Sequence, residues 1–143
     1  MKKILVLAVI AGFSITSCKN DDQEDISIVG TWRHTQMKVI SGKDGSVLSN
    51  NDLDACDQKT TTELTENGTL KSNYYEFYNS SCNHYYEEYG YSYDKNAQKL
   101  FIDGETFSIK SLTEHELVMN DPEADDDYND DGFEDIYEMH LTR

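Results

Sequence analysis

From Val29 onward, short runs rich in β-branched and aromatic residues recur between clusters of Gly, Asn, Asp and Ser, and no long helical period interrupts them. Val29 to Ile40 is the first run, and it stops at the turn cluster Ser41-Gly42-Lys43-Asp44-Gly45. Thr60 to Glu66 and Thr69 to Tyr78 flank Asn67-Gly68, a pair suited to the positive φ angles of a type I′ hairpin turn. His84 to Tyr93 is an aromatic strand that ends at Asp94-Lys95-Asn96-Ala97. Gln98 to Ile102 and Glu105 to Lys110 flank Asp103-Gly104, a second hairpin signal of the same kind. A two-residue turn there pairs Leu100 with Phe107 and Ile102 with Glu105, which puts Leu100, Ile102, Phe107 and Ile109 on one face. Glu116 to Asn120 and Ile136 to Thr142 complete the set, with Tyr137, Met139 and Leu141 alternating inward. A short helical turn is expected over Asn50 to Cys56.

Eight strands joined mostly in sequence make an all-β chain. A single eight-stranded up-and-down antiparallel β-barrel is the arrangement that removes every open sheet edge, while a two-sheet sandwich fits the same count.

Ahead of the strands stand a basic start, Met1-Lys2-Lys3, an apolar run from Ile4 to Phe13, and Ser14-Ile15-Thr16-Ser17-Cys18. The run is shorter than the about 20 apolar residues that span a bilayer, so residues 1–17 read as a secretion signal. Ile15-Thr16-Ser17-Cys18 resembles the lipobox of bacterial lipoproteins, which implies a lipid on Cys18 and a membrane as partner. An ordinary secretory signal with an incidental cysteine is the alternative. Residues 18–27 carry Lys19-Asn20-Asp21-Asp22-Gln23-Glu24-Asp25 with no apolar residue before Ile26, and read as a tether; residues 28–143 are the barrel domain. A lysine followed by acids also resembles the surface-export signal of lipoproteins from Bacteroidetes-type bacteria. The expected address is therefore the outer membrane, facing the periplasm or the cell surface.

The chain holds 12 basic and 28 acidic residues, and loss of Lys2 and Lys3 with the leader takes the formal net charge from −16 to −18. Nucleic acid and anionic headgroups are poor partners for such a surface, whereas cations, basic protein surfaces and neutral small molecules suit it. With Cys18 lipidated, Cys56 and Cys82 remain as a pair in an oxidising compartment. A disulfide between them is the economical reading, two free thiols the alternative.

Asp127-Tyr128-Asn129-Asp130-Asp131-Gly132-Phe133-Glu134-Asp135-Ile136-Tyr137-Glu138 fits the calcium-loop formula, with oxygen ligands at alternate positions and glycine at the sharp turn. Asp127, Asn129, Asp131, Asp135 and the carbonyl of Phe133 are the candidate calcium ligands. Glu138 is the weak member, because a strand rising about 3.3 Å per residue carries it away from the loop. An exposed acidic hairpin loop without an ion explains the same residues. Tyr85, Tyr89, Tyr91 and Tyr93 share one side of their strand with Glu87. Facing inward they make a hydroxyl-bearing aromatic ligand site; facing outward, a patch for a protein or glycan; or they are ordinary strand residues. No nucleophile elbow, zinc motif or phosphate loop is present, and His34, His84, His115 and His140 stand singly, so no catalytic residue is assigned and an enzyme is not expected.

Gly30-Thr31-Trp32 on the first strand resembles the lipocalin signature. That resemblance implies that Trp32 plugs the closed end of a barrel and that Arg143, the one arginine besides Arg33, lies across its ring. The chain also resembles the short lipocalin-like lipoproteins of Bacteroidetes from Val29 to Arg143. The residues that carry this are Gly30-Thr31-Trp32, Cys56-Asp57-Gln58-Lys59, Asn67-Gly68-Thr69, Cys82, Leu100-Phe101-Ile102-Asp103-Gly104, Phe107 to Thr113 and Glu116-Leu117-Val118. Where that group has a second tryptophan, this chain has Gly90-Tyr91. The expectation is a membrane-anchored lipoprotein whose lipocalin-like barrel binds a small apolar or amphipathic molecule at the envelope. The alternative is an interaction or accessory subunit of an envelope complex, with or without a stabilising calcium.

Overall fold

The computed structural model describes residues 26–122 and 126–143. Its strands are β1 (Gly30–Ile40), β2 (Val47–Asp52), β3 (Thr61–Leu64), β4 (Thr69–Tyr78), β5 (Ser81–Asp94), β6 (Lys99–Ile102), β7 (Glu105–Leu112), β8 (Glu116–Asn120) and β9 (Ile136–Thr142). Among the described residues the one helical element is a 3-10 turn, Asp57–Lys59. One edge of β1 pairs with β9 over Arg33–Ile40, and this pairing closes the sheet. The other edge of β1 is shared, Gly30–Arg33 pairing with β3 and Gln36–Ile40 with β2. β2 and β3 thus fill one position in the ring, and the strands form a closed eight-stranded antiparallel barrel. A sandwich would leave open edges where β1 and β9 meet.

The hairpin chemistry explains most boundaries. In β6–β7, Leu100 faces Phe107 and Ile102 faces Glu105, with Asp103 (φ 48°) and Gly104 (φ 93°) both left-handed as a type I′ turn requires. Asn67-Gly68 departs from the expected I′ geometry. Only Gly68 of the pair has positive φ, its N–H donates to the Thr65 carbonyl (3.1 Å), and the Thr65 N–H donates to the Thr69 carbonyl (3.0 Å). This is a type I turn followed by a glycine bulge, held open because the Thr65 hydroxyl bonds the Thr69 backbone. Between β4 and β5 a I′-type turn forms without glycine, at Asn79 (φ 52°) and Ser80 (φ 62°), so β5 begins at Ser81 rather than His84.

The helical turn expected over Asn50 to Cys56 is corrected. Val47–Asp52 is a strand, and Asn50–Asp52 therefore belongs to β2 instead of a helical turn. The helical turn falls later, at Asp57–Lys59, where the Asp54 carboxylate accepts from the N–H groups of Cys56 (2.7 Å) and Asp57 (2.8 Å).

The core occupies one end of the barrel. Trp32, fully buried, sits among Ile28, Leu64, Leu70, Leu100, Leu117 and Leu141. Bulges at Thr35 in β1 and Lys110 in β7 shift the alternation of these strands partway along the barrel.

Candidate functional site

The plugged end is built around one ring. The Trp32 indole N–H donates to the Ile28 carbonyl (2.8 Å), and the Arg143 guanidinium lies over the ring, 4.3 Å from its centroid. Arg143 also donates to the carbonyls of Glu114 (2.6 Å), Val29 (2.7 Å) and Ser27 (3.1 Å), stitching both chain segments at that end to the last strand. Gly30 has φ +144°, and a Cβ there would stand 2.9 Å from the arginine Nη1. The glycine two residues before the tryptophan is thus room for the guanidinium.

Beyond this core the barrel contains a cavity of about 570 Å³. Residues from β1, β4, β5, β7 and β9 line it together with the 53–60 segment, so it is the barrel interior. Met37, Leu53, Phe107 and Met139 supply the apolar wall; His34, Tyr74, Asp57 and Glu87 are among the polar groups. The His34 Nε2 lies 3.1 Å from the Thr62 hydroxyl, and burial depresses its pKa to about 4, so the imidazole is neutral at neutral pH. Burial, then the charges of Asp54 and Glu76, raise the Asp57 carboxyl. Burial, followed by Glu76, Asp57 and Tyr85, raises the Tyr74 hydroxyl.

Tyr85, Tyr89, Tyr91 and Tyr93 of β5 share the inward side, since Leu70 faces Tyr89 and Ser72 faces Glu87 across the ladder. Their depths differ. Tyr89, Tyr91 and Tyr93 pack against the closed-end core, and the Tyr91 hydroxyl donates to the Thr65 carbonyl (2.7 Å). Tyr91 and Tyr93 line a separate groove at the plugged end, beside Ile26 to Val29. Tyr85 is exposed and stacks on Tyr74, with centroids 6.1 Å apart. None of the four is among the cavity residues; Tyr74 and Glu87, their neighbours, are. The Tyr89 hydroxyl donates to Glu87.

Past the cavity, residues 74–78 of β4 pair with β5 alone, forming a ribbon on which Phe77, Tyr78, Tyr85 and Tyr86 are exposed. The Cys56–Cys82 disulfide, with Cα atoms 5.6 Å apart, ties the ribbon to the 3-10 turn. Lys59 stands over the Tyr75 ring (5.9 Å), which stacks on His84 (4.6 Å).

In the acidic loop the side chains serve the loop's own backbone. Asp127 accepts from the N–H groups of Asp131 (2.9 Å) and Gly132 (2.6 Å), Asn129 from Asp131 (3.3 Å), and Asp131 from Phe133 (3.1 Å). Asp135 is buried and accepts from Gly42 (3.0 Å) and Tyr128 (2.9 Å), docking the loop on the β1–β2 turn. The carboxylates of Asp127, Asp131 and Asp135 do not gather within 4.8 Å; among the described residues the one such group is Asp54, Cys56 and Asp57, whose sulfur is in the disulfide. Glu138, in β9, pairs instead with Lys110 and lies 3.4 Å from His140 Nε2. Cys18, with the leader and most of the tether, lies outside the described residues.

A family model described as a lipocalin-like domain matches residues 28–119. Among solved structures, a deswapped triple mutant of bovine odorant-binding protein is similar at 14% identity, over 80% of this chain and 72% of that one, with a TM-score of 0.39. That likeness is too distant to inform the site. No curated protein matches the chain.

Proposed function

Because the chain belongs to the lipocalin-like domain family, we propose that it is a binding protein whose barrel holds a small amphipathic molecule, and that a lipid on Cys18 keeps it at the cell envelope. The observation that carries the binding reading is the cavity itself. It is large enough for a small organic ligand, and it sets thioether and aromatic walls from Met37, Phe107 and Met139 against hydroxyl, imidazole and carboxylate groups. The address rests on the order of charge, apolar run, small residues and cysteine in the first eighteen residues.

Native mass spectrometry of the protein after exposure to an extract of bacterial envelope tests the binding reading. A retained small molecule that disappears in Met139→Trp, with the thermal unfolding of the variant intact, is the expected result. A bare protein after that exposure overturns it. The exposed aromatic ribbon of Phe77, Tyr78, Tyr85 and Tyr86 supports a second reading, an interaction subunit, which a bare barrel would favour.

A further inference from the structure

The charge inventory of the cavity is one-sided. Among the described residues that line it are Asp57, Glu87 and Asp121 but no lysine or arginine, and the one histidine among them is held neutral by burial. The lysines of the neighbouring segments are engaged with aromatic rings: Lys59 lies over Tyr75 and Lys43 over Phe133, 5.5 Å from the centroid. Asp57 receives no side-chain hydrogen bond among the described residues; burial, and after it the charges of Asp54 and Glu76, holds its proton more tightly than usual. Glu87 takes one hydrogen bond, from Tyr89, and keeps acceptor capacity to spare. The surroundings add to the same sign. The loops at the open end and the 53–60 segment (41–46, 53–60, 103–104, 121–122 and 126–135) hold eleven acidic residues against two lysines. A cleft lined by one sign of charge between low-dielectric walls concentrates ions of the other sign.

We propose, building on the reading of the barrel as a binding protein, that the cavity selects an amphipathic organic cation, its ammonium head against Asp57 and Glu87 and its apolar tail on Met37, Phe107 and Met139. The Tyr74 ring on the same wall offers the head an aromatic face. The neutral His34 removes the one group of the lining that would repel it.

The test is calorimetric titration of the full chain with three probes that share a tail: octyltrimethylammonium, octanol and octanoate, each at low and high salt. The cation is expected to bind about tenfold more tightly than the alcohol, through one partly desolvated charge contact and a cation–π contact, and octanoate more weakly than either. High salt is expected to shrink the cation's advantage, and so are Glu87→Gln and Asp57→Asn, each examined separately so that a misfolded variant does not decide the matter. Octanol binding as tightly as the cation, or octanoate binding best, overturns the charge selection and leaves the binding barrel standing. Cation binding that survives Met139→Trp undiminished places the probe on the acidic outer surface and overturns the proposal. Absence of binding by all three overturns both this proposal and the reading on which it rests.

Discussion

Arg143 lies over Trp32 at 4.3 Å and reaches three backbone carbonyls from the same position, so the last residue of the chain closes the barrel that the third residue of β1 plugs. A planar guanidinium is required for this, because it offers donors in several directions while its face rests on the ring. Arg143→Ala is expected to cost about 1 to 3 kcal/mol in urea unfolding, the range of a cation–π contact with charge-assisted hydrogen bonds. It should also redden the emission of Trp32 as water reaches the ring. Arg143→Lys should recover a fraction of the loss, and a lysine variant as stable as the native protein would deny the arginine its bridging role.

Gly42 and Asp135 make the corresponding joint at the other end. A Cβ at Gly42 would fall 1.9 Å from the Glu134 carbonyl oxygen, so Gly42→Ala must push the acidic loop off the β1–β2 turn. Asp135→Ala leaves the N–H groups of Gly42 and Tyr128 without their acceptor and is expected to cost about 2 kcal/mol. Amide exchange reads both: Gly42 and Tyr128 should lose protection in Asp135→Ala while the β6–β7 hairpin keeps its own.

The disulfide joins cysteines 26 positions apart and closes a stretch that contains the 3-10 turn, β3 and the whole of β4. Replacing both cysteines by serine is expected to cost about 3 to 4 kcal/mol in the chain-entropy account. The loss should be uneven in space. Exchange of the ribbon amides, from Tyr75 to Tyr86, should rise more than exchange of β8 and β9, and an even rise across the barrel would speak against the disulfide as the ribbon's anchor.

His34 makes stability depend on pH in a definite direction. The unfolded chain takes up the proton near pH 6.5 and the folded chain only near pH 4, so between these values the unfolded chain holds more protons and acidification weakens the fold. The full effect, reached near pH 4, is about 3 kcal/mol, and above pH 6.5 the imidazole adds no slope. His34→Gln, which can still bond the Thr62 hydroxyl, should flatten the stability curve across that window. An unchanged slope would assign it to carboxylates instead.

Much of the barrel was legible because its signals are local. Asp103-Gly104 and the alternation of Leu100, Ile102, Phe107 and Ile109 specify a hairpin without help from the rest of the chain. β2 was illegible for the opposite reason: Ser49-Asn50-Asn51-Asp52 has no apolar side and is a strand only because β1 offers its backbone. The cavity is harder still. His34, Tyr74, Glu87, Phe107 and Met139 come from five strands, and the bulge at Thr35 breaks the period-two pattern between His34 and Met37. Period two does group Tyr85, Tyr89, Tyr91 and Tyr93 on one side, but it carries no information about depth along the barrel axis. That depth separates the tyrosines that pack the base from Tyr74 and Glu87, which border the empty space.

Ile28 packs beneath Trp32, and Ser27 and Val29 are held by Arg143, so the chain enters the barrel at its plugged base. If Cys18 carries the lipid proposed above, the anchor would hold this protein as a stem holds a cup, by the foot, with the rim turned outward from the bilayer. Cargo would arrive from the water and from whatever lies across it, and lipid in the anchoring leaflet would meet only the sealed underside.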